Sequence, residues 1–292
     1  MHRREAVAAL LSGLASPFSP ALDSLAQEWT ATDFADIERR AAGRLGVAVL
    51  DTATERRLAY RADERFAMCS TFKWLLGAQV LSRAAAGMEQ LSRVVKYDET
   101  ALLEYAPVTR ARVREGGMTV SGLVSAAIQY SDNTAANVLL RAVGGPASLT
   151  TYLRRLGDQS TRLDRFEPDL NSAIRGDVRD TTTPNAMLAD MRVLLLGDYL
   201  SRTARDQLVA WLIGNTTGAE KLRAGLPTRW RVGDKTGMGA NGATNDVAII
   251  WPGERRPVLI AAYLVDTNAS VADRNDALAQ VGRAVARWLA RA

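Results

Sequence analysis

Apolar residues recur along this chain in two rhythms, and the change from one to the other predicts the architecture. Asp33–Ala42 reads as a first helix. Leu45–Leu50 (Leu-Gly-Val-Ala-Val-Leu) is the short apolar run of a buried strand. Arg57–Arg61 fits as its hairpin partner across the turn Asp51–Glu55. From Thr71 to about Leu212 the pattern turns helical. Ser70–Ala86 is strongly apolar, Met118-Thr119 opens a helix that runs to Tyr130, and Thr134–Val143 stops at the breaker Gly144-Gly145-Pro146. Pro146–Leu156 and Pro184–Leu196 follow as helices, separated by the polar stretch Asp158–Thr183. A loop of that length inside a compact domain is usually functional or disordered. Strand character then returns in Arg229–Lys235, Thr244–Trp251 and Val258–Val265, short β-rich runs with glycine or proline turns between them, and Ala272–Ala290 closes the chain as an amphipathic helix.

The order is helix, strands, many helices, strands, helix. A sheet split around a helical insertion satisfies it, which predicts an α/β (α+β) fold: an antiparallel sheet of about five strands flanked by N- and C-terminal helices. The expected division is a sheet domain over 27–68 plus 213–292 and an all-α domain over 69–212 that contains the loop 158–183. No repeat or low-complexity linker separates them.

Composition narrows the chemistry. At 292 residues the chain can bury a substantial core, and no segment has the uninterrupted apolar length of a membrane span. The formal charge of +5 is arginine scattered along the chain without a basic cluster, so nucleic acid is not an expected partner. The only histidine is His2, which excludes a Ser-His-Asp triad and a histidine-ligated zinc site. The only cysteine, Cys69, leaves no internal disulfide and no cysteine-held metal, so no cofactor is expected. Lysine occurs only at Lys73, Lys96, Lys221 and Lys235. In a chain that otherwise uses arginine, a lysine retained at position 73 suggests an amine that must be able to lose its proton, which arginine cannot do. At the N-terminus Arg3-Arg4 precedes the mildly apolar Ala6–Ala15, with small residues at Ala21 and Ala26. Residues 1–26 are therefore expected to be an export signal, of the twin-arginine or general secretory kind, delivering a periplasmic or secreted protein.

Four short motifs carry the candidate chemistry. Ser70-Thr71-Phe72-Lys73 puts a hydroxyl and an amine one helical turn apart at a helix start, where the lysine could reach the serine. Taken alone it also describes a capping serine with a snorkelling lysine. Ser131-Asp132-Asn133 stands at a break between helices, and alone would be a capping turn. Arg165-Phe166-Glu167-Pro168-Asp169-Leu170-Asn171 lies in the long loop, and Lys235-Thr236-Gly237 ends an apparent strand.

In this order and spacing the four resemble a class A serine β-lactamase, over about Gly43 to Leu289, together with Tyr105 and Asp180-Thr181-Thr182-Thr183-Pro184. The resemblance implies an active site between the two lobes and a single β-lactam molecule as partner, acted on by a monomer with no metal and no stable membrane association. It implies Ser70 as the nucleophile that forms an acyl-enzyme and Lys73 as base or proton relay. Ser131 would pass a proton to the departing nitrogen beside Lys235. Glu167, with Asn171, would hold the water that hydrolyses the acyl-enzyme. The amides of Ser70 and Met238 would form the oxyanion hole. Asn133, Thr236, Gly237 and Tyr105 would contact substrate. Arg165 and Asp180 would close the neck of the loop, and the Glu167–Pro168 peptide would be cis. Two departures stand out: Met238 occupies a position more often small or hydroxylated, and Lys221 is the candidate to replace an arginine behind the substrate carboxylate. Cys69 lacks the second cysteine found in some carbapenem-hydrolysing relatives.

Overall fold

The predicted strands meet in one five-stranded antiparallel sheet. The computed structural model describes residues 33–291, so the export segment expected at 1–26 lies outside the described residues. Residues 33–41 form helix α1. It is followed by β1 (Arg44–Asp51), β2 (Arg57–Tyr60), β3 (Phe66–Ala67), α2 (Phe72–Ala85), β4 (Val94–Lys96), α3 (Pro107–Ala111) and β5 (Gly117–Thr119). Next come α4 (Val120–Gln129), α5 (Asn133–Val143), α6 (Pro146–Arg155), β6 (Thr181–Thr182), α7 (Pro184–Met191), α8 (Arg202–Ile213) and α9 (Leu222–Gly225). The chain closes with β7 (Arg231–Met238), β8 (Thr244–Trp251), β9 (Val258–Val265) and α10 (Val271–Ala290).

The sheet order is β2-β1-β9-β8-β7, so the last strand lies inside and β7 is an edge. Side chains alternate between two cores. Val47, Val49, Ile260 and Ala262 pack with Phe34 and Ile37 of α1 and with Leu278, Val281 and Trp288 of α10. Ala48, Leu50, Leu259, Ala261 and Tyr263 face the other way, into a core shared with Trp74 and Leu75 of α2 and Met187 of α7. Because both faces are covered, every residue of β9 is buried, which is why the strand reads as a continuous apolar run rather than an alternating one.

Three local expectations change. β7 does not end at Lys235: Thr236, Gly237 and Met238 remain in the ladder opposite Asp246, Asn245 and Thr244, because pairing with β8 overrides the glycine's turn signal. The helix expected over Ser70–Ala86 begins with a 3₁₀ turn, Cys69–Thr71, before α2. The helix expected over Pro184–Leu196 is α-helical only to Met191, and Arg192–Leu196 widens into a π-helical turn. The region between Thr71 and Leu212 also holds the short ribbon β4–β5, while β3 pairs with β6; strands of two or three residues are too short to show a period.

Candidate active site

The free edge of β7 lies against the Cys69–Thr71 turn, and this contact positions the nucleophile candidate. Two features permit it. A Cβ on Gly237 would stand 2.7 Å from the Met68 carbonyl, so only glycine allows the approach. Asn245 of β8 donates its amide to the carbonyls of Ala67 (2.9 Å) and Met68 (3.0 Å), pinning the chain just before Ser70. Cys69 is held at φ +45° and Ser131 at φ +57°, left-handed values that cost non-glycine residues energy and gather where a site demands them.

Ser131-Asp132-Asn133 gains its shape from Asp132. Its buried carboxylate caps α5 at the Ala135 amide (2.8 Å) and accepts from the amides of Val108 (3.0 Å) and Thr109 (2.9 Å). The same turn accepts the loop above it, since the Asn133 amide donates to the Tyr105 carbonyl at 3.0 Å. Asp132 thus fixes both α5 and the segment that presents Tyr105.

A cleft of about 520 Å³ results, lined by Ser70, Tyr105, Ser131, Asn133, Asn171 and Lys221, and along the edge strand by Thr236, Gly237 and Met238. Tyr105 (51 % exposed) and Met238 (44 %) are its open apolar walls. Lys73, Glu167 and Lys235 are buried behind the lining. All twelve residues singled out in the sequence therefore converge on one place.

Their internal wiring differs from the simplest sequence expectation. Lys73 makes no hydrogen bond to Ser70. Its ammonium lies 3.0 Å from Glu167 Oε1 and donates to the Ser131 carbonyl (2.8 Å) and Asn133 Oδ1 (2.6 Å). A fully buried cation needs a counter-ion and acceptors, and these lie away from the serine. The Ser70 hydroxyl instead donates to the same Glu167 oxygen at 3.4 Å. Glu167 Oε2 accepts from the Asn171 amide, so Asn171 serves the glutamate even where it lines the cleft. Across the cleft Lys235 donates to Ser131 Oγ at 3.1 Å and to its neighbour's carbonyl at 2.9 Å.

Burial pushes both ammonium groups down from the ordinary lysine range. For Lys73 burial is the largest cause, opposed by the Glu167 charge. For Lys235 burial again leads and the like charge of Lys73 adds to it, so this group falls well below its usual value. Both amines thus hold their protons less firmly than an exposed lysine would, in a site where none of the described residues is a histidine.

The loop is set by its neck and its middle. Arg165 Nε meets Asp180 at 2.5 Å, and the Glu167–Pro168 bond is cis, both as the resemblance implied. Sequence reading missed Asn137, whose side chain clamps the main chain of Glu167 from both sides: Nδ2 donates to the Glu167 carbonyl (2.8 Å) and Oδ1 accepts from its amide (2.9 Å). The available signal was an asparagine four residues after Asn133, one turn along the same face of the helix. Thr217 was also missed. It lines the cleft beside Lys221, and its hydroxyl lies 2.5 Å from that of Thr236. Behind these, Asp246 is pushed well above the carboxylate range by burial and by Asp234, and Lys221 opposes the shift.

A hydroxyl at a strained turn, a carboxylate within reach of it, two depressed lysines and a mixed α/β fold match the class of serine hydrolases, in a site that holds no histidine among the described residues. The comparisons narrow that class. A sequence model of the Beta-lactamase enzyme family matches residues 30–289, and the chain belongs to this family as a class A serine β-lactamase. Beta-lactamase AST-1 of Nocardia asteroides is 47 % identical over 294 residues, covering 97 % of this chain and 94 % of that protein. Beta-lactamase CTX-M-8 of Citrobacter amalonaticus is 49 % identical over 251 residues, 86 % of each chain. Among solved structures, the ancestral GNCA class A β-lactamase superposes with TM-score 0.87 at 56 % identity, covering 88 % of this chain and 99 % of its own. The protein is a hydrolase of β-lactams and belongs with the determinants of β-lactam resistance.

Proposed function

We propose that this enzyme opens the lactam amide of penicillins and cephalosporins through an acyl-enzyme on Ser70, and that a water activated by Glu167 then releases the product. The observation that carries the reading is the placement of Glu167. One carboxylate oxygen is shared by the Ser70 hydroxyl (3.4 Å) and the Lys73 ammonium (3.0 Å), and the other is held by Asn171. A carboxylate so placed can take a proton from serine or from a water standing over an ester on that serine. On acylation the serine proton passes to Glu167, or to Lys73 once that amine has given its own proton to Glu167; the Ser70 oxygen bonds to the lactam carbonyl carbon, and the C–N bond breaks. Ser131, hydrogen-bonded to Lys235, stands where it can protonate the nitrogen that leaves. The amides of Ser70 and Met238 would hold the carbonyl oxygen as it gains charge; losing one such donor typically slows a hydrolase by about 10²–10³-fold. Lys235, Thr236 and Lys221 would hold the substrate carboxylate, with Asn133 on the side-chain amide and Tyr105 as a wall. We also place the activity outside the cytoplasm, on the Arg3-Arg4 segment, and in a monomer, since one chain supplies the whole cleft.

Mass spectrometry tests the central step. A penicillin mixed with wild type should leave hydrolysed product and free enzyme, whereas Glu167→Ala should retain the added mass on Ser70. Equal release in both would remove Glu167 from the deacylation role. Persistent acylation of the wild type would point instead to a penicillin-binding transpeptidase or peptidase chemistry.

A further inference from the structure

The loop that presents Glu167 has a second face, turned from the cleft. Behind it a cavity of about 190 Å³ lies between residues 173–179 and the ends of β1 and β9. Its charged lining consists of Arg44, Arg65, Arg165, Arg175 and Arg179 against Asp177 and Asp266. Three of these guanidiniums are committed to carboxylates. Arg165 Nε meets Asp180 (2.5 Å), Arg179 meets Asp177 (2.8 Å), and Arg44 meets both Asp266 and Glu64 at 3.2 Å. Two are not. Arg65 gives one nitrogen to neutral acceptors, the Ser160 carbonyl (2.7 Å) and Thr181 Oγ1 (3.0 Å), and pairs with no carboxylate among the described residues. Arg175 makes only a long ion pair with Asp266, at 4.0 Å, and its side chain is 84 % exposed. Arg165 Nη2 forms an ion pair with Asp177 at 3.8 Å, too long for a hydrogen bond, so its N–H donors are still to be satisfied. Guanidiniums outnumber carboxylates here even with Asp180 and Glu64 counted.

We propose that this cavity binds a single free tetrahedral oxyanion, a phosphate or sulfate, held by Arg65 and Arg175 with Nη2 of Arg165. Planar guanidiniums with unused donors match such an anion in charge and in geometry. Drug-sized ligands occupy pockets of about 300–1,000 Å³, so a cavity this small suits one compact anion. The anion would bridge the loop (Arg165, Arg175) to the segment before the nucleophile turn (Arg65), adding to the β3–β6 pairing and the Arg65 contacts that already join them.

The experiment is calorimetric titration of wild type with inorganic phosphate and with sulfate, alongside chloride at matched ionic strength, and with melting temperatures in each salt. Saturable binding of either oxyanion is expected. The double variant Arg65→Gln/Arg175→Gln should bind at least about tenfold more weakly, because charge-assisted hydrogen bonds are lost. Sulfate and phosphate raise melting temperatures of proteins generally by exclusion from the surface. The decisive quantity is therefore the extra rise in wild type over the variant, which mass action requires if the folded protein alone binds the anion. In chloride, β-lactam hydrolysis by the variant should match wild type. Should the double variant fold poorly, the exposed Arg175→Gln alone carries the comparison. Absence of saturable binding, or equal affinity in the variants, overturns the proposal. So does capture by phosphatidylglycerol vesicles without binding of free phosphate, which would make the patch a lipid-headgroup surface.

Discussion

Lys73 shows how burial, more than spacing, decides what a side chain does. Three residues along a helix from Ser70, it is led away by Glu167, Asn133 and the Ser131 carbonyl, and these in turn are placed by Asn137 and Asp132. Asn137→Ala should leave the Glu167 amide and carbonyl without their partners in a buried setting, at a cost of about 1–3 kcal/mol. The measurable outcome is a lower melting temperature together with slower loss of the acyl-enzyme, seen by stopped-flow; normal deacylation would make the clamp purely structural. Lys221 tests a different part of the site. It lines the cleft with Thr217 and Thr236, and its alanine variant should raise KM for penicillins about tenfold while changing kcat less, as removal of a uniform binding contact does. An unchanged KM would free Lys221 from carboxylate binding.

At the scale of elements, two acidic residues near the long loop should respond to pH in opposite directions. Asp177 is held down at about 2, first by the hydrogen bonds from the Arg179 guanidinium. A carboxyl depressed in the folded state stabilises it above its unfolded value, about 3.9, and the contribution fades as pH falls toward 2. Asp177→Asn should therefore melt earlier than wild type at neutral pH, and the gap should close in acid. Asp190 on α7 is raised well above the carboxylate range by burial, with Asp158 adding to it, and one of its oxygens has no hydrogen-bond partner. Here the folded state holds the proton more tightly than the unfolded chain, so stability falls as pH rises above about 3.9. Asp190→Asn should gain stability relative to wild type on going from about pH 4 to about pH 8, read from thermal melts across that range. A gap independent of pH would mean that Asp190 does not titrate there.

For the whole molecule, the two cores on either side of the sheet are built differently. The outer one depends on the close approach of α9 to α10, where a Cβ on Gly225 would fall 1.8 Å from the Ala279 carbonyl. That neighbour is backbone in the middle of a long helix and cannot step aside. Forcing even one methyl into such a place costs about 1–3 kcal/mol. Gly225→Ala should accordingly lower the melting temperature by roughly 2–10 °C. A melting temperature unchanged by the substitution would show that α9 is free to move away from α10.

The split order of strands and helices, the apolar runs of β1, β8 and β9, and the four motifs whose spacing marks a class A β-lactamase are all legible in the chain. These are local or patterned properties, readable from neighbours in the chain. Tertiary structure alone decided where β7 ends, because pairing with β8 carries it through Lys235-Thr236-Gly237. Only tertiary structure brought Asn137 beneath Glu167 and Thr217 beside Thr236, and gathered arginines from three segments behind the cleft. The Ser-x-x-Lys turn was visible at once as a serine beside an amine. The fold separated the two, since a buried ammonium must lie where its counter-ion is, and placed Glu167 between them.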